Sequence, residues 1–436
     1  MFGLKPETLP LHGFKNLESV TQRNFAVLFL SGLLFWASLT TLLPTLPLYL
    51  QSIGATPQEV GIIIGAFGIG LLVFRFLLGY AADRQRKAVL VLGLVAVTVA
   101  PLGYWLTDSL PILLGVRIFH GLSVAAFTTG YIALVTDLAP TAVRGEILGY
   151  MTLVNPVGMA IGPALGAWVQ DSAGNTSLFW VSVAIGAMGL GCACQVEDTT
   201  QQILKPRRPD PGITAEPAGD RPRVSTPDSS NRFWQLLLIP AIYIPSLMLL
   251  FLGLAFGTFN TFLSLFIKTL GLEMNAGLIF TAAALGSFLI RVVTGPASDR
   301  YGRGLFISLG LLSYGVSMGI LFVAHHPWQL LGAGILEGVG FGMLVATLAA
   351  LMADRSRPQE RARSLNFCFI GLDLGIAISG PLLGTLANNG DYRPVFGVVT
   401  VLPLMALLLF MTCGCAGLGR SFRFALGLGE DSYRLP

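Results

Sequence analysis

The sequence predicts an all-α integral membrane protein with twelve transmembrane helices in two pseudo-symmetric six-helix bundles. Three observations predict this class. Hydrophobic residues make up 53% of the 436 residues and charged residues only 11%, whereas soluble domains carry about 25% charged residues. Apolar stretches of about 20 residues, the length of one membrane-spanning helix, recur along the chain. A charged motif also occurs twice, half a chain length apart.

Twelve apolar stretches form the predicted spans. The first is too long and too often interrupted by proline to be a cleaved signal peptide. The approximate span cores are residues 25–50, 60–82, 88–107, 111–134, 147–169, 178–194, 242–267, 276–297, 305–324, 328–351, 364–387 and 395–413.

The repeated motif lies between spans two and three and again between spans eight and nine. The first copy is RFLLGYAADRQRK at residues 75–87, and the second is RVVTGPASDRYGR at residues 291–303. Both copies place Arg, Gly and Asp in four-residue steps, and half the chain length separates them. A repeat with matching charge spacing at this separation predicts two homologous halves.

One long polar segment, residues 197–232, separates these halves. It is rich in Pro, Asp, Arg, Ser and Thr, a composition that cannot form a packed core and is typical of a linker. The predicted organisation is an N-terminal segment at 1–24, an N-terminal six-helix bundle at 25–196, this linker, a C-terminal six-helix bundle at 233–415 and a tail at 416–436.

Lysine and arginine are concentrated in the loops on one side of the predicted membrane protein. That side carries both terminal segments and the linker, whereas the other side carries only Lys268 and Arg393. Basic loops face the cytoplasm. We therefore expect a multi-pass protein of the plasma (inner) membrane with both termini in the cytoplasm.

The repeated motif resembles the signature of the major facilitator superfamily. Twelve spans, a central linker and internal termini fit the same family, and the resemblance covers about residues 25–413. It implies the major facilitator fold, alternating access between two bundles, and a cytoplasmic gate in which Asp83 pairs with Arg144. The predicted gate residues are Gly79, Asp83, Arg84, Arg86, Lys87, Arg144, Gly295, Asp299, Arg300 and Arg303.

Span five contains a glycine-rich pattern made of Gly158, Gly162, Pro163 and Gly166. It resembles the family's antiporter motif, which is common in proton-driven exporters, and span eleven repeats it loosely at residues 375–384. Small residues at four-residue spacing also allow helices to pack closely. Ordinary helix packing is therefore the alternative explanation.

Span four contains Arg117 and His120, followed by Gly121. This pattern resembles the family's Arg-x-x-Gln-Gly sequence, which is associated with proton coupling, but His replaces Gln. The counterpart in span ten puts Glu337 at the position equivalent to His120. The resemblance makes Arg117 and His120 candidates for proton coupling.

Two carboxylates are predicted to lie well inside the spans, Glu337 in span ten and Asp373 in span eleven. A charged group at this depth is costly, so each should face a cavity or a partner. Both are candidates for carrying the coupled proton. The alternative is a structural carboxylate that is bonded to a neighbouring helix, and in the family's fold span eleven lies beside the pore.

Arg75 in span two and Arg291 in span eight are related by the repeat, and both lie inside the predicted membrane region. Two arginines from opposite halves can hold an anion through charge-assisted bonds. The alternative is that each one ties helices together at the cytoplasmic gate.

Polar residues in the spans that line the family's central cavity are further candidates for substrate contact. Thr41 and Thr258 are separated by almost the same offset as the two motif copies. With them we group Asn260 and Tyr131, and the aromatic residues Trp36, Phe127 and Phe259.

Several function classes are excluded or disfavoured by what the sequence lacks. No phosphate-binding glycine loop or Walker lysine is present, so ATP does not drive the protein directly. No Cys or His spacing predicts a metal site, and no group of residues predicts an enzyme, a cofactor or nucleic-acid binding. A monomer in the lipid bilayer is expected to suffice.

These observations predict proton-coupled export of small organic compounds in exchange for protons. The alternative is proton-coupled uptake or export of an organic anion, held by Arg75 and Arg291.

Overall fold

The computed structural model describes residues 19–82, 85–140, 143–196, 239–357, 360–387 and 390–434. Within these ranges, eleven helical stretches are long and apolar enough to cross a membrane. One of them, Arg144–Cys194, holds two spans, so the prediction of twelve spans is confirmed. The helices are α1 (Ser19–Thr41), α2 (Leu46–Ser52), α3 (Pro57–Ala82), α4 (Arg86–Leu106), α5 (Leu110–Leu138), α6 (Arg144–Met151), α7 (Val154–Cys194), α8 (Pro240–Thr269), α9 (Ala276–Tyr301), α10 (Arg303–Val323), α11 (Pro327–Asp354), α12 (Arg361–Leu383), α13 (Arg393–Cys413) and α14 (Leu418–Ala425).

The first predicted span is interrupted before its end. Helix α1 ends at Thr41, a turn follows, and α2 begins at Leu46. Pro44 and Pro47 stand at this break. Proline lacks the N–H group that a helix interior requires, so the continuous span expected over residues 25–50 is two helices.

Spans five and six meet at Gly174 inside α7. The backbone there has φ 78° and ψ 178°, and glycine adopts a positive φ readily because it has no Cβ. Before the turn, Gly166 packs against Thr41 near the end of α1. After the turn, the Gly189 carbonyl accepts a hydrogen bond from Ser31, earlier in α1. The chain therefore reverses direction at Gly174.

Corresponding helices pack in the same way in the two halves. Helix α3 packs against α5 in the first half, and α9 packs against α11 in the second. These contacts bring Gly121 against the backbone of Phe67 and Gly338 against the backbone of Ala283. A Cβ at either glycine would overlap a carbonyl oxygen, so both approaches require a residue without a side chain. Matching contacts at matching positions are those expected of two homologous halves.

The two halves meet through α3 with α12 and through α7 with α9. Gly61 and Gly380 lie so close that a Cβ at either would overlap the carbonyl oxygen of the other. The Thr281 hydroxyl donates a hydrogen bond of 2.7 Å to the Ala160 carbonyl. The start of α1 and the end of α13 lie at one end of the bundle, which we call the terminal end. The contacts between Gly61 and Gly380 and between Thr281 and Ala160 lie toward the opposite end.

Free space adjoins Gly295 at the terminal end. No heavy atom lies within 4 Å of the place where a Cβ of Gly295 would be, and this glycine lines a cavity of about 200 Å³. Gly295, one of the predicted gate residues, therefore makes no close helix contact in this conformation. The close contacts between the halves described above lie toward the opposite end.

The residues after α13 pack against the C-terminal half. Helix α14 packs against α13 and α10. Arg355 holds the last part of the chain through hydrogen bonds of 2.7 and 2.9 Å to the Asp431 carboxylate and one of 2.7 Å to the Gly414 carbonyl. The side chains of Arg355 and Asp431 are buried. Through Arg434, the predicted tail is a packed part of the molecule.

Candidate transport site

A cavity with two adjoining parts lies between the halves. The large chamber has a volume of about 220 Å³ and the small chamber about 40 Å³. Both halves supply the walls, as expected for a substrate site at the interface of two structural repeats. The residues that line both chambers are Leu43, Asn155, Met159, Phe256, Asn260 and Phe341.

The large chamber is mainly apolar. Trp36 and Phe67 line it from the first half, and Phe256 and Phe341 from the second. The rings of Phe256 and Phe341 are stacked, with their centroids 4.5 Å apart. Arg117 is the one charged residue among the described residues that line this chamber.

The small chamber is lined by one acidic and one basic residue, Glu337 from α11 and Arg291 from α9. Glu337 is 3% exposed, and its Oε1 accepts a hydrogen bond of 3.0 Å from the Tyr314 hydroxyl. The buried Nε of Arg291 has no hydrogen-bond partner. Among the described residues, no carboxylate lies within ion-pair distance of Arg291.

His120 is the counterpart of Glu337 in the first half. Its Nδ1 lies 3.1 Å from the Tyr104 hydroxyl and 3.3 Å from Nη1 of Arg117. Because a guanidinium can only donate hydrogen bonds, Nδ1 accepts and the ring proton of the neutral imidazole sits on Nε2. A second positive charge beside Arg117 would be unfavourable. His120 is thus held in its neutral form.

Asp373 is paired with Arg75 across the two halves. Nη2 of Arg75 lies 3.2 Å from Oδ2 of Asp373, whose side chain is 5% exposed. Neither residue lines the large or the small chamber. The expected juxtaposition of Arg75 with Arg291 is therefore wrong, because α12 supplies a carboxylate that takes up the Arg75 charge.

Of the four uncharged polar residues predicted to contact substrate, Asn260 is the one that lines the cavity, and it lines both chambers. Thr41 and Thr258 instead donate hydrogen bonds to carbonyl groups of their own helices. Tyr131 donates one to the Met151 carbonyl. These three are buried away from the chambers, so their expected place in the cavity wall is wrong.

Helix rotation explains why Thr40, and not Thr41, lines the large chamber. One residue along an α-helix turns the side chain by about 100°. Thr261, three residues after Thr258, also lines this chamber, one turn further along α8. Of the predicted aromatic residues, Trp36 and Phe259 line a chamber, whereas Phe127 stacks on Phe35.

Ion pairs at the terminal end repeat between the halves. Arg86 at the start of α4 pairs with Asp137 near the end of α5. Arg303 at the start of α10 pairs with Asp354 at the end of α11 and also lies 3.1 Å from Asp299. The offset along the chain from Arg86 to Arg303 equals the offset from Asp137 to Asp354.

The remaining gate residues make local contacts where they are described. Arg144 donates to the Ala139 carbonyl at 3.4 Å, and the Arg300 guanidinium lies 5.4 Å from the Tyr301 ring centroid. Lys87 donates a hydrogen bond of 2.6 Å to the Val196 carbonyl at the end of span six. Gly79, Asp83 and Arg84 lie outside the residues whose side chains are described, and so does the predicted pairing of Asp83 with Arg144.

The glycine-rich pattern of span five packs against α1. Gly158 lies against Trp36, and Gly162 lies against Thr40. The Thr40 hydroxyl donates a hydrogen bond of 3.2 Å to the Gly158 carbonyl. At Gly166, a Cβ would overlap the backbone of α1. Close packing of α7 on a cavity-lining helix is thus the direct role of these glycines in this conformation.

The acidic partners of the repeated arginines were missed by sequence reasoning. Asp137 and Asp354 lie near the ends of apolar spans and outside the repeated motif. The available signal was the offset between them, which equals the offset between Arg86 and Arg303. Tyr104 and Tyr314 have no such signal, because hydroxyl partners of His120 and Glu337 depend on how α4 and α10 pack.

Comparison with known proteins identifies the family. The sequence profile of the Major Facilitator Superfamily matches residues 28–280 and 246–413. The quinolone resistance protein NorA of Staphylococcus aureus (strain MSSA476) is 22% identical over 393 residues, which cover 86% of this chain and 95% of that protein. A homolog of the multi-drug resistance efflux pump PmrA from Lactococcus lactis subsp. lactis (strain IL1403) is 25% identical over 389 residues, covering 85% of this chain and 90% of that protein.

Solved structures share the fold at low sequence identity. The nucleoside transporter NupG aligns with a TM-score of 0.70 and 15% identity, covering 90% of this chain and 99% of that chain. A bacterial homolog of the human lysosomal transporter Spinster, in an inward-facing and unoccupied conformation, aligns with a TM-score of 0.66 and 15% identity, covering 95% and 93%. These relatives are membrane transporters and not enzymes. The chain belongs to the Major Facilitator Superfamily, as a multi-pass membrane transporter of small molecules that is similar to multidrug efflux pumps.

Proposed function

We propose that this transporter exports small organic compounds in exchange for protons, with Glu337 as the group that carries the proton. The observation that carries the proposal is a buried carboxylate in the cavity between the halves. Glu337 lines the small chamber and accepts a hydrogen bond from Tyr314. The resemblance to proteins named for quinolone resistance and multidrug efflux supports the direction of transport.

In this proposal, substrate and proton compete for one cavity. A proton on Glu337 removes its charge, and the bundle then opens to the other side. The small residues that pack α3 against α12 and α7 against α9 allow the halves to separate at the opposite end. Asp373 does not carry the proton, since Arg75 already balances its charge. His120 does not carry it either, because Arg117 lies beside its ring.

We further propose that the terminal end faces the cytoplasm of a plasma membrane. The positive-inside distribution of Lys and Arg supports this orientation. With it, a conformation whose halves are in close contact toward the opposite end, with free space beside Gly295, faces inward. The moving bodies are the bundles at 25–196 and 233–415, connected by the linker at 197–232.

Proton flux in proteoliposomes tests the proposal. Vesicles with an acidic lumen contain a pH-sensitive dye, and ethidium, 2-phenylethanol or 3-phenylpropionate is added outside as cationic, neutral or carboxylate probe. Protein-free vesicles provide the correction for passive permeation. Antiport predicts that the lumen becomes more alkaline when the cation or the neutral compound is added. Absence of any protein-dependent change with all three compounds would contradict the coupling.

A second candidate function, transport of an organic anion, is favoured by one observation. Arg117 and Arg291 both face the cavity without a carboxylate partner among the described residues. Arg75 has no part in this version, because it pairs with Asp373. A proton flux that responds to 3-phenylpropionate alone would support this candidate over the first.

A further inference from the structure

The small chamber is lined by one acidic and one basic side chain, the buried Glu337 and the half-buried Arg291, and no ion pair joins them. Glu337 and Arg291 are its only charged lining residues in the described part of the chain. Among the residues that the structure describes, the Tyr314 hydroxyl is the one hydrogen-bond partner of the Glu337 carboxyl group, and the Nε of Arg291 has no hydrogen-bond partner. A charged group that is removed from water requires a partner. A ligand with one positive and one negative group provides a partner for Glu337 and for Arg291.

The small chamber limits the size of such a ligand head. A buried water molecule needs a cavity volume of about 10–15 Å³. The small chamber has a volume of about 40 Å³ and therefore accepts about three groups of that size. A compact head with one ammonium and one carboxylate group is of this order of size. The amide nitrogen of Asn260 donates to the Phe256 carbonyl at 2.7 Å, which leaves the amide oxygen of Asn260 as an acceptor for an ammonium group.

The large chamber suits an apolar body attached to that head. It adjoins the small chamber along Phe256 and Phe341, whose stacked rings line both. Aromatic side chains bind flat rings through offset stacking or edge contacts. Arg117 also lies in this chamber, but the Phe67 ring already covers its guanidinium at 4.7 Å.

We propose that the preferred substrates are amphipathic zwitterions with a compact head and an aromatic or aliphatic body. The substrate carboxylate binds Arg291, its ammonium group binds Glu337, and the body lies against Phe256 and Phe341. This inference rests on the proposed function, since the ammonium group takes the place of the proton on Glu337. Arg291 then determines specificity, because it separates zwitterions from simple cations.

Three probes with one skeleton test the inference at pH 7. Phenylalanine is zwitterionic, phenethylamine is its cationic counterpart, and 3-phenylpropionate is its anionic counterpart. Binding to the purified full-length chain in lipid nanodiscs is measured by calorimetry. Because both charged groups contribute, phenylalanine is expected to bind about tenfold or more tightly than either other probe.

Substitutions of the two charged residues should change the preference in opposite ways. Arg291→Gln should weaken phenylalanine binding about tenfold or more and leave phenethylamine within about threefold. Glu337→Gln should weaken phenylalanine and phenethylamine but spare 3-phenylpropionate. Arg291→Lys, which keeps the charge, is the matched control and should retain most of the preference for phenylalanine.

Two results would overturn the inference. One is wild-type binding in which phenylalanine has no advantage over phenethylamine, including no measurable binding of any probe. The other is an unchanged preference in Arg291→Gln. Ethidium-driven proton flux that persists in either case would leave proton-coupled export in place and remove only the zwitterion preference. If both the preference for phenylalanine and the ethidium-driven proton flux are absent, the zwitterion inference and proton-coupled export are both contradicted.

Discussion

At the terminal end of the bundle, the first half pairs Arg86 with Asp137 and the second half pairs Arg303 with Asp354. One and the same offset along the chain relates both the arginines and the aspartates of these pairs. The duplicated structure has therefore kept a charged connection between corresponding helix ends. Such a connection fixes helix positions in each half and is independent of what the cavity binds.

At the centre of the bundle the halves have diverged. His120 and Glu337 occupy equivalent positions, and each contacts a tyrosine hydroxyl, from Tyr104 and Tyr314 respectively. The first half thus presents a neutral imidazole next to an arginine, and the second half presents a carboxyl group in the small chamber. The same helix arrangement therefore holds an imidazole in the first half and a carboxyl group in the second. Of the two, the Glu337 carboxyl group is the one suited to proton exchange.

The largest expected difference between the halves concerns transport. Glu337→Gln should reduce gradient-driven export at least about tenfold, because the amide cannot release a proton. His120→Gln, the matched substitution in the first half, should keep export within about twofold of wild type. Export from proteoliposomes under an imposed pH gradient measures both. Equal losses in the two variants would contradict the assignment of the proton to the second half.

Substituting the glycines at the close helix contacts should lower thermal stability equally in both halves. Gly121→Leu and Gly338→Leu each force a side chain against a carbonyl of the facing helix. Overpacking of this kind costs about 1–3 kcal/mol, so both variants should melt at lower temperature. Gly332→Leu is the control on the helix of Gly338, because no atom lies within 4 Å of its Cβ position. A neutral Gly338→Leu variant would argue against the packing described for α9 and α11.

The pseudo-symmetric arginines should differ in their effect on stability. Arg75→Gln leaves the buried Asp373 carboxylate without its counter-charge and should cost about 1–3 kcal/mol. Arg291→Gln removes a half-buried charge that has no ion-pair partner among the described residues, and stability should be retained or raised. Thermal unfolding of the two variants in the same detergent compares them. The opposite order would show that Arg291, and not Arg75, is structurally paired.

The smallest effects are expected for the pairs at the terminal end. Double-mutant cycles on Arg86 with Asp137 and on Arg303 with Asp354 should give coupling energies of about 1 kcal/mol or less, since all four side chains are partly exposed. The two values should be similar if the pairs have the same role. Asp299→Asn is the control, because Asp299 contacts Arg303 but is 65% exposed.

Much of the fold was predictable because it follows from local properties of the chain. Span length, apolar composition and the duplicated motif depend on short stretches of sequence, and the helices from α1 to α13 follow them. The break between α1 and α2 was not predicted, because its two prolines lie within a stretch that is otherwise apolar enough to continue. Hydropathy reports burial in the membrane and not where a helix ends inside it.

The cavity was less predictable, since it depends on helix rotation and on contacts between distant spans. Placing Thr41 and not Thr40 in the cavity is an error of one residue, which corresponds to about 100° of rotation. Arg75 and Asp373 come from different halves, and nothing in either span identifies the other as its partner. Glu337 was found because a lone carboxylate inside an apolar span needs a cavity or a partner.

Coupling of proton movement to export by Glu337 is tested by comparing the wild-type protein with one variant. Proteoliposomes with wild-type protein or Glu337→Gln are assayed for substrate exchange without a pH gradient and for uphill transport with one, using whichever compound drives wild-type proton flux. We expect Glu337→Gln to retain exchange, because the halves still alternate, and to lose uphill transport. Uphill transport by Glu337→Gln at the wild-type level would show that Glu337 does not couple proton movement to export.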